Sequence, residues 1–364
     1  MKRFFARMAA ALLAAILLFP YNVSAISARN AIVMDGTTGK VIFEKNADAQ
    51  ALIASTTKIM TALLVCEQCN VLDRMQIPKE AVGIEGSSMY LQEGEVLTIQ
   101  ELLYGLMLQS GNDAATALAI YCGGTVEGFA QLMNDKARSL GLLNTHFANP
   151  SGLDAPNHFS TAKDLAELAA YAMKNPIFRQ TVSTKTVKAG DRYLTNHNKL
   201  LWRVPGADGV KTGYTMAAGR ILVSSAARKG RRLVTVTIHA PNDWNDHAKL
   251  LEEAYSNYAE VHFVSCGQIL GYASVAGGET EMVPLEAADD LVCSIAHWET
   301  PELVVKENGI CYAPVVAGQF AGTAYICVDG FVIGKVPIVF GETVEQSREK
   351  EKSFWEKLFG GNEL

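Results

Sequence analysis

The first apolar runs after residue 25 have the spacing of short β-strands. Residues 31–34 and 40–44 are rich in apolar and β-branched side chains, and residues 35–39 between them contain two glycines and an aspartate. Two such runs joined by turn residues predict a β-hairpin. We therefore expect an antiparallel sheet to begin near residue 30.

The pattern then changes to that of helices. Thr98 is followed three residues later by Glu101 and then by apolar positions, which is the capping-box signature of a helix start. Gly123 and Gly124 separate two further helical runs. Helices are predicted at residues 97–109, 114–122, 126–140 and 161–174.

Strand-like runs return after residue 209 and continue almost to the end. Residues 210–213 predict a short strand, 221–226 and 232–239 predict a hairpin, and 243–258 predict a closing helix. From residue 261 to 342, short apolar runs are separated by Gly, Pro and Asp, which predicts a small all-β domain. A length of 364 residues also suggests two domains.

The N-terminus has the pattern of a targeting segment. Three basic residues precede an apolar stretch at residues 8–19 and a small-residue site that ends at Ala25, so residues 1–25 are predicted to be a signal peptide. An uncleaved anchor is the alternative, and it is disfavoured because about 20 apolar residues are needed to span a bilayer. We expect an exported protein of the extracytoplasmic cell envelope, with its catalytic domain at residues 26–258.

Charge and the C-terminal tail limit the classes of partner. Loss of the three leader cations takes the formal net charge from −6 to −9, and nothing in the chain indicates nucleic-acid binding.

Residues 343–364 form a charged tail whose aromatic and leucine side chains fall on one helical face: Phe354, Trp355, Leu358 and Phe359. We expect this tail to contact the outer face of the cytoplasmic membrane peripherally. A frayed soluble end is the alternative, because the apolar face is only about two turns long.

Candidate chemistry is concentrated at the start of the apolar run 54–63. Ser55 is followed three residues later by Lys58, so the two side chains lie one turn apart on one helix face. The helix N-terminus favours an oxyanion and disfavours an ammonium, and burial would lower the lysine pKa further. Ser55 can then act as a nucleophile with Lys58 as its base. The same spacing at Ser347 and Lys350, in the charged tail, shows that the pair alone is weak evidence.

The seven cysteines allow only limited conclusions. Cys66 and Cys69 have half the spacing of a zinc site, but no second Cys or His pair follows at ligand spacing, so no metal or cofactor is expected. Both are interpreted as small apolar residues of the helix that Ser55 begins. An odd number of cysteines leaves at least one thiol unpaired. Disulfides among the four cysteines after residue 260 cannot be assigned from sequence.

Two further motifs follow in order. Ser110-Gly111-Asn112 lies between two predicted helices, and Lys211-Thr212-Gly213 lies on a predicted strand. Each is common alone, but Ser-x-x-Lys, Ser-x-Asn and Lys-Thr-Gly together are the motif set of penicillin-binding proteins and class A β-lactamases. The chain closely resembles the low-molecular-mass penicillin-binding proteins that are D-alanyl-D-alanine carboxypeptidases, serine peptidase family S11. Further stretches that match this family are residues 86–89, 102–106, 109–114, 149–153, 160–165 and 208–215.

The resemblance implies a fold and a set of roles. The fold is an α/β penicillin-recognising domain, with an antiparallel sheet and a helical lobe, followed by the small all-β domain. Ser55 would be acylated, Lys58 would be its base and Ser110 would relay a proton to the leaving D-alanine. The residues implied to bind substrate or its oxyanion are Asn112, Lys211, Thr212, Gly213 and the backbone of Tyr214. The implied partners are peptidoglycan stem peptides that end in D-Ala-D-Ala and β-lactam inhibitors.

Two alternatives remain open. A class A β-lactamase would need a glutamate in a Glu-x-x-x-Asn motif between the second and third elements, and Glu167, the nearest helical candidate, is followed four residues later by Tyr171. A β-lactam sensor without peptidase activity could keep the same acylation residues. No histidine lies in a defensible Ser-His-Asp context, and three are expected to be loop or supporting residues: His146, His158 and His197.

Overall fold

The computed structural model describes residues 26–307 and 309–347. The predicted signal peptide and the apolar face of the predicted tail lie outside these residues. The chain divides into two compact units. The first comprises residues 26–34, Val41–Ala226 and Leu233–Tyr255, and the second comprises Asp35–Lys40, Ala227–Arg232 and the described residues from Ser256 onward.

The sheet of the first unit begins with the predicted hairpin. Strands β1 (Asn30–Asp35) and β2 (Val41–Lys45) pair antiparallel, with Ile32 opposite Glu44. The sheet order is β2-β1-β9-β8-β7, and β7 and β8 are also antiparallel. The bounds of the last three strands are β7 Ala207–Thr215, β8 Gly219–Arg228 and β9 Arg231–Ile238.

The helices follow the signals in the sequence. Thr98 caps its helix with the full capping box to Glu101, and Thr125, Thr161 and Asn175 cap three others through their side chains. In chain order the helices are α1 Lys58–Gln68, α2 Ile99–Leu108, α3 Asn112–Gly123, α4 Val126–Ser139, α5 Ala162–Ala172, α6 Pro176–Ser183, α7 Leu200–Arg203 and α8 Asp243–Tyr255. Short 3₁₀ turns occupy Ala54–Thr57 and Lys79–Ala81.

Helix α1 is the centre of the helical lobe. Every residue from Lys58 to Cys66 is buried, as expected for a helix that is apolar on all sides. Its side chains belong to one core with those of α2, α3, α5 and one face of the sheet. Two small hairpins complete this unit: β3 (Arg74–Gln76) with β4 (Val96–Thr98), and β5 (Thr186–Ala189) with β6 (Arg192–Thr195). The core therefore fixes the position of the residues that precede α1.

The second unit is built from strands and has its own apolar core. Its larger sheet has the order β14-β16-β17-β12-β11-β15, and β10 pairs with β13. The bounds are β10 Tyr258–Val264, β11 Ile269–Ala276, β12 Met282–Ala287, β13 Leu291–Ala296, β14 Glu302–Glu307, β15 Cys311–Tyr312, β16 Phe320–Val328 and β17 Phe331–Phe340.

Two predicted boundaries are wrong. The closing helix ends at Tyr255, because Ser256 and Asn257 form a turn and Tyr258 already pairs with Ala296 in a sheet. The tail was expected to begin at residue 343, but Val344 is buried in the second core and bridges Val315. Among the described residues, no helix is long and apolar enough to cross a membrane.

Candidate active site

The site begins at the N-terminal end of α1. The 3₁₀ turn Ala54–Thr57 leads directly into Lys58, the first residue of the helix, so Ser55 and Lys58 lie on consecutive turns as the spacing predicts. Ala54 has a φ of 45°, a left-handed backbone conformation that costs energy for a residue with a Cβ. Ser55 is half-buried, whereas Lys58 is fully buried.

The amine of Lys58 has three oxygen neighbours. Its Nζ lies 3.0 Å from Ser55 Oγ, 2.7 Å from Asn112 Oδ1 and 2.5 Å from the Ser151 carbonyl oxygen. A neutral amine has two N–H donors and one lone pair. It can donate to the two acceptor oxygens, Asn112 Oδ1 and the Ser151 carbonyl, and turn its lone pair to the Ser55 hydroxyl.

The electrostatic surroundings favour that neutral form. Burial lowers the pKa of Lys58 well below its ordinary value, and the nearby charge of Lys211 lowers it further. The carboxylate of Asp113 acts in the opposite direction with a smaller effect. The predicted fall in the Lys58 pKa is therefore present, with burial as its largest cause.

The loop at residues 149–153 supplies one of the lysine partners. Thr61 Oγ1 donates to the Pro150 carbonyl at 2.7 Å, which ties the loop to α1. Gly152 has a φ of 88°, and a Cβ at this position would lie 1.9 Å from the Ala54 carbonyl oxygen. Only glycine fits there without moving the backbone on either side. The sequence motif at 149–153 thus serves to bring the Ser151 carbonyl to Lys58.

The second motif lies between α2 and α3. Ser110 is buried with a φ of 62°, and its hydroxyl has no hydrogen-bond partner in the described part of the chain. Asn112 accepts from Lys58 through Oδ1 and donates through Nδ2 to the Glu85 carbonyl at 2.6 Å. Both ends of the Asn112 amide are thus used within the protein, so a substrate amide would have to displace the Glu85 contact.

Asp113 is a site residue that the sequence interpretation missed. Its buried carboxylate accepts from Ser88 Oγ at 2.6 Å and from the backbone N–H groups of Met89 and Leu91 at 3.1 Å. These bonds fix the loop at 86–91 against the start of α3. Two signals were available in the sequence, because Asp113 lies within the family stretch 109–114 and the loop contains the family stretch 86–89.

The third motif lies on strand β7. Lys211 is 1% exposed, and its Nζ donates to the Thr212 carbonyl at 3.0 Å. Burial lowers the pKa of Lys211 to about 7. Tyr214 is exposed, so the structure gives its side chain no anchoring role.

Gly213 permits a close approach between β7 and the nucleophile turn. A Cβ at Gly213 would lie 3.3 Å from Ser55 N and 3.3 Å from the Ile53 carbonyl oxygen. The family resemblance assigned this glycine to the substrate-binding residues. Its packing against the backbone around Ser55 is a separate reason for the absence of a side chain.

These elements meet at one open cleft of about 370 Å³. Of the predicted site residues, Ser55, Ser110, Thr212, Gly213 and Tyr214 line it. Lys58, Asn112 and Lys211 are buried beside them. The lining also includes residues without a predicted role: Ser87, His197, Lys199, Arg220, Ile221, Asp243 and Trp244. Arg220 and Asp243 form an ion pair at 2.9 Å.

The histidines have supporting contacts. The N–H of Ala148 donates to His158 Nδ1 at 3.1 Å, so His158 carries its proton on Nε2 and donates to Thr57 Oγ1 at 2.7 Å. Burial is the main cause that lowers the pKa of His158 to about 4. His158 therefore holds the loop near the start of α1 as a neutral side chain. His197, which the sequence analysis expected to be a loop or supporting residue, lines the cleft.

The arrangement is suited to acyl transfer through a serine ester. It places a nucleophile beside a buried amine whose pKa is lowered, with the Ser110 hydroxyl in the same cleft and the Lys211 amine buried beside it. Within residues 26–307 and 309–347, no group of three or more His, Cys, Asp or Glu side chains could hold a metal ion.

Comparison with known proteins identifies the family. Residues 19–242 match the family model described as D-alanyl-D-alanine carboxypeptidase, and residues 258–346 match the one described as penicillin-binding protein 5, C-terminal domain. The carboxypeptidase DacF of Bacillus subtilis is 32% identical over 338 residues, which cover 88% of this chain and 86% of DacF. DacC of Escherichia coli K12 is 33% identical over 341 residues, which cover 88% of this chain and 85% of DacC. The chain belongs to the D-alanyl-D-alanine carboxypeptidase family.

Solved structures confirm the predicted fold class. Penicillin binding protein 5 of Haemophilus influenzae is 28% identical with a TM-score of 0.64, and the match covers 90% of this chain and all of that one. A mutant of the Streptomyces K15 DD-transpeptidase is 35% identical with a TM-score of 0.62, and covers 64% of this chain and 99% of its own. The predicted family and the predicted α/β domain followed by an all-β domain are both confirmed.

Proposed function

We propose that this protein is a serine-type D-Ala-D-Ala carboxypeptidase, which removes the terminal D-alanine from peptidoglycan stem pentapeptides through an acyl-enzyme on Ser55. The observation that carries the proposal is the Lys58 amine, which lies 3.0 Å from Ser55 Oγ and is held by two other oxygens. Family membership supports the substrate class.

In the acylation step, neutral Lys58 takes the proton of Ser55 as Oγ attacks the carbonyl carbon of the penultimate D-alanine. The oxygen of that carbonyl gains negative charge and is stabilised by the backbone N–H groups of Ser55 and Tyr214. In comparable enzymes each such donor contributes on the order of 3 kcal/mol. Support for this assignment is the close packing of Gly213, the residue before Tyr214, against the backbone at Ser55.

The leaving group then needs a proton. Ser110, whose hydroxyl lines the cleft, relays the proton from Lys58 to the nitrogen of the departing D-alanine. The C–N bond breaks and the Ser55 ester remains. Lys58 is neutral again, so it can take a proton from the water that hydrolyses the ester.

Substrate binding uses the edge of strand β7. The terminal carboxylate of the peptide would meet the charge of Lys211 and the hydroxyl of Thr212, and the peptide would lie antiparallel to the strand beside Gly213. Asn112 would bind the substrate amide once its contact with the Glu85 carbonyl is released. The same contacts accept a β-lactam, whose carboxylate and strained amide resemble those of D-Ala-D-Ala.

Release of D-alanine from a soluble pentapeptide stem tests this function. We expect one D-alanine per peptide from the parent enzyme and none from Ser55→Ala, which keeps the fold because it removes only a half-buried hydroxyl. A parent enzyme that binds penicillin but releases no D-alanine would instead be the β-lactam sensor. Rapid penicillin hydrolysis with no D-alanine would indicate a β-lactamase.

We further propose export to the cell envelope and peripheral membrane contact through the tail. Support comes from the sequence alone: the leader pattern at residues 1–25 and the apolar face of Phe354, Trp355, Leu358 and Phe359. A chain that ends at Ser347 keeps Val344 in its core and should keep its activity on soluble peptide. It should bind anionic vesicles less than the full mature chain, and equal binding would refute the anchor.

A further inference from the structure

Two cysteines that are far apart in the sequence meet at the ends of two helices. Cys69 is the C-cap residue directly after α1, and Cys122 lies in the last turn of α3. Their sulfur atoms are 2.9 Å apart, closer than two sulfurs in van der Waals contact, and both carry free thiols in this structure. In the sequence, Cys66 is the cysteine nearest to Cys69. The fold brings Cys122 to Cys69 instead.

The surroundings favour reaction between these two thiols. Both are partly exposed, so a small reagent can reach them. The hydrogen bond from the Cys69 thiol lowers the pKa of Cys122 and makes Cys122 the more readily formed thiolate. Cys66 is 8% exposed, and burial raises the pKa of its thiol to about 12. Cys66 is therefore much less reactive towards a disulfide reagent than Cys122.

We propose that Cys69 and Cys122 form a disulfide when the protein meets an oxidising environment outside the cell. The oxidant is a disulfide, either a small molecule or a thiol oxidoreductase. The Cys122 thiolate attacks one sulfur of that disulfide and expels the other as a thiolate. Cys69, after loss of its proton, then attacks the mixed disulfide at Cys122 Sγ and expels the second thiolate. Two protein thiols are oxidised, and the external disulfide is reduced to two thiols.

The position of the bridge gives it a structural role. Helix α1 begins at Lys58 and α3 begins at Asn112, so each runs from the catalytic cleft to one cysteine over about 16 Å. A bond between Cys69 and Cys122 would fasten the far ends of the two helices that carry the first two motifs. It would also close a long loop, because 52 residues separate the two cysteines in the chain, and so restrict the unfolded chain.

Peptide mapping tests the bridge directly. The mature protein is incubated with oxidised glutathione, alkylated under denaturing conditions and digested without reductant. We expect one linked peptide pair that contains Cys69 and Cys122, with the other five of the seven cysteines alkylated. All seven alkylated, or Cys69 linked to Cys66, would overturn the proposal.

Matched variants separate the bridge from general packing. Cys69→Ser and Cys122→Ser should each abolish the linked peptide, whereas Cys66→Ser should keep it. The oxidised parent should melt on the order of 10 °C higher than the Cys69→Ser/Cys122→Ser double variant, and reductant should remove that difference. A melting temperature that reductant does not change in the parent would show that the two helices are not fastened in this way.

Discussion

At the scale of single residues, the chemistry depends on whether the Lys58 amine is neutral. The spacing of Ser55 and Lys58 predicted that the two side chains are close, and the helix N-terminus and burial predicted the direction of the lysine pKa shift. The partners that hold the amine could not be predicted, because Ser151 accepts through its backbone carbonyl and Asn112 was assigned to substrate. The Ser151 carbonyl comes from a loop about 90 residues away, and the residue types around Lys58 in the sequence do not predict this contact.

Lys58→Arg should reduce the second-order rate of acylation by penicillin at least about 100-fold, since a guanidinium keeps its proton and cannot act as base. Stopped-flow or intact-mass kinetics would measure the rate. Because Lys58 is fully buried, the melting temperature of the variant must be recorded beside it. A folded Lys58→Arg protein that is acylated at the parental rate would remove Lys58 from the mechanism.

The two lysines should limit kcat/KM at opposite ends of the pH range. Lys58 must be neutral to act, so kcat/KM should rise as pH increases through its lowered pKa. Lys211 must be protonated to bind a carboxylate, and its pKa is lowered to about 7, so kcat/KM should fall as pH rises above about 7. Lys211→Arg should move the alkaline fall to higher pH, because guanidinium stays charged. An unchanged alkaline limb in that variant would exclude Lys211 as its origin.

At the scale of elements, local signals predicted α1 to α5, α8 and the hairpin strands of the first sheet, but not α6 or α7. The capping box at Thr98 marks the start of α2, and Gly124 marks the end of α3. Both signals depend only on neighbours in sequence. Contacts between elements could not be predicted in this way. Asp113 looks like an ordinary helix residue until the loop at 86–91 is placed against it, and Gly213 reveals its packing role only when β7 lies beside Ser55.

The loop that reaches Lys58 can be tested with two glycines of similar backbone conformation. Gly141→Ala, at a φ of 77° with open space around it, should lose only about 1–2 kcal/mol of unfolding free energy. Gly152→Ala, at a φ of 88°, would also collide with the Ala54 carbonyl, so it should lose more stability and slow acylation as well. Urea unfolding and the rate of penicillin acylation measure both. Equal effects of the two substitutions would contradict the role given to Gly152.

At the scale of the whole molecule, the sequence predicted two domains in the right order but not their limits. Val344 belongs to the second core, and the segments Asp35–Lys40 and Ala227–Arg232 group with the second unit although they interrupt strands of the first. A composition change along the chain cannot reveal a unit assembled from three separate segments.

Acid stability is a property of the folded chain that follows from two buried histidines. Burial is the main cause that lowers the pKa of His158 to about 4 and that of His247 to about 3, whereas an unfolded histidine titrates near 6.5. The unfolded state therefore binds more protons below pH 6.5, and the unfolding free energy should decrease as pH falls from about 6.5 towards 4. Each histidine lowers the unfolding free energy by at most about 1.4 kcal/mol per pH unit. Urea titrations should show that the unfolding free energy of His158→Gln decreases less steeply with falling pH than that of the parent. An equal slope would exclude His158 as a source of the acid sensitivity.

The central claim is that Ser55 is the residue acylated in this cleft, and intact-mass measurement after mixing with penicillin tests it most directly. The leaving group of penicillin stays attached to the acyl chain, and no Glu-x-x-x-Asn motif lies between Ser110 and Lys211 to position a hydrolytic water. We predict one persistent adduct, mapped by digestion to Ser55 and absent from Ser55→Ala. An adduct on another residue, an adduct that survives in Ser55→Ala, or rapid turnover of penicillin without any adduct would contradict the account.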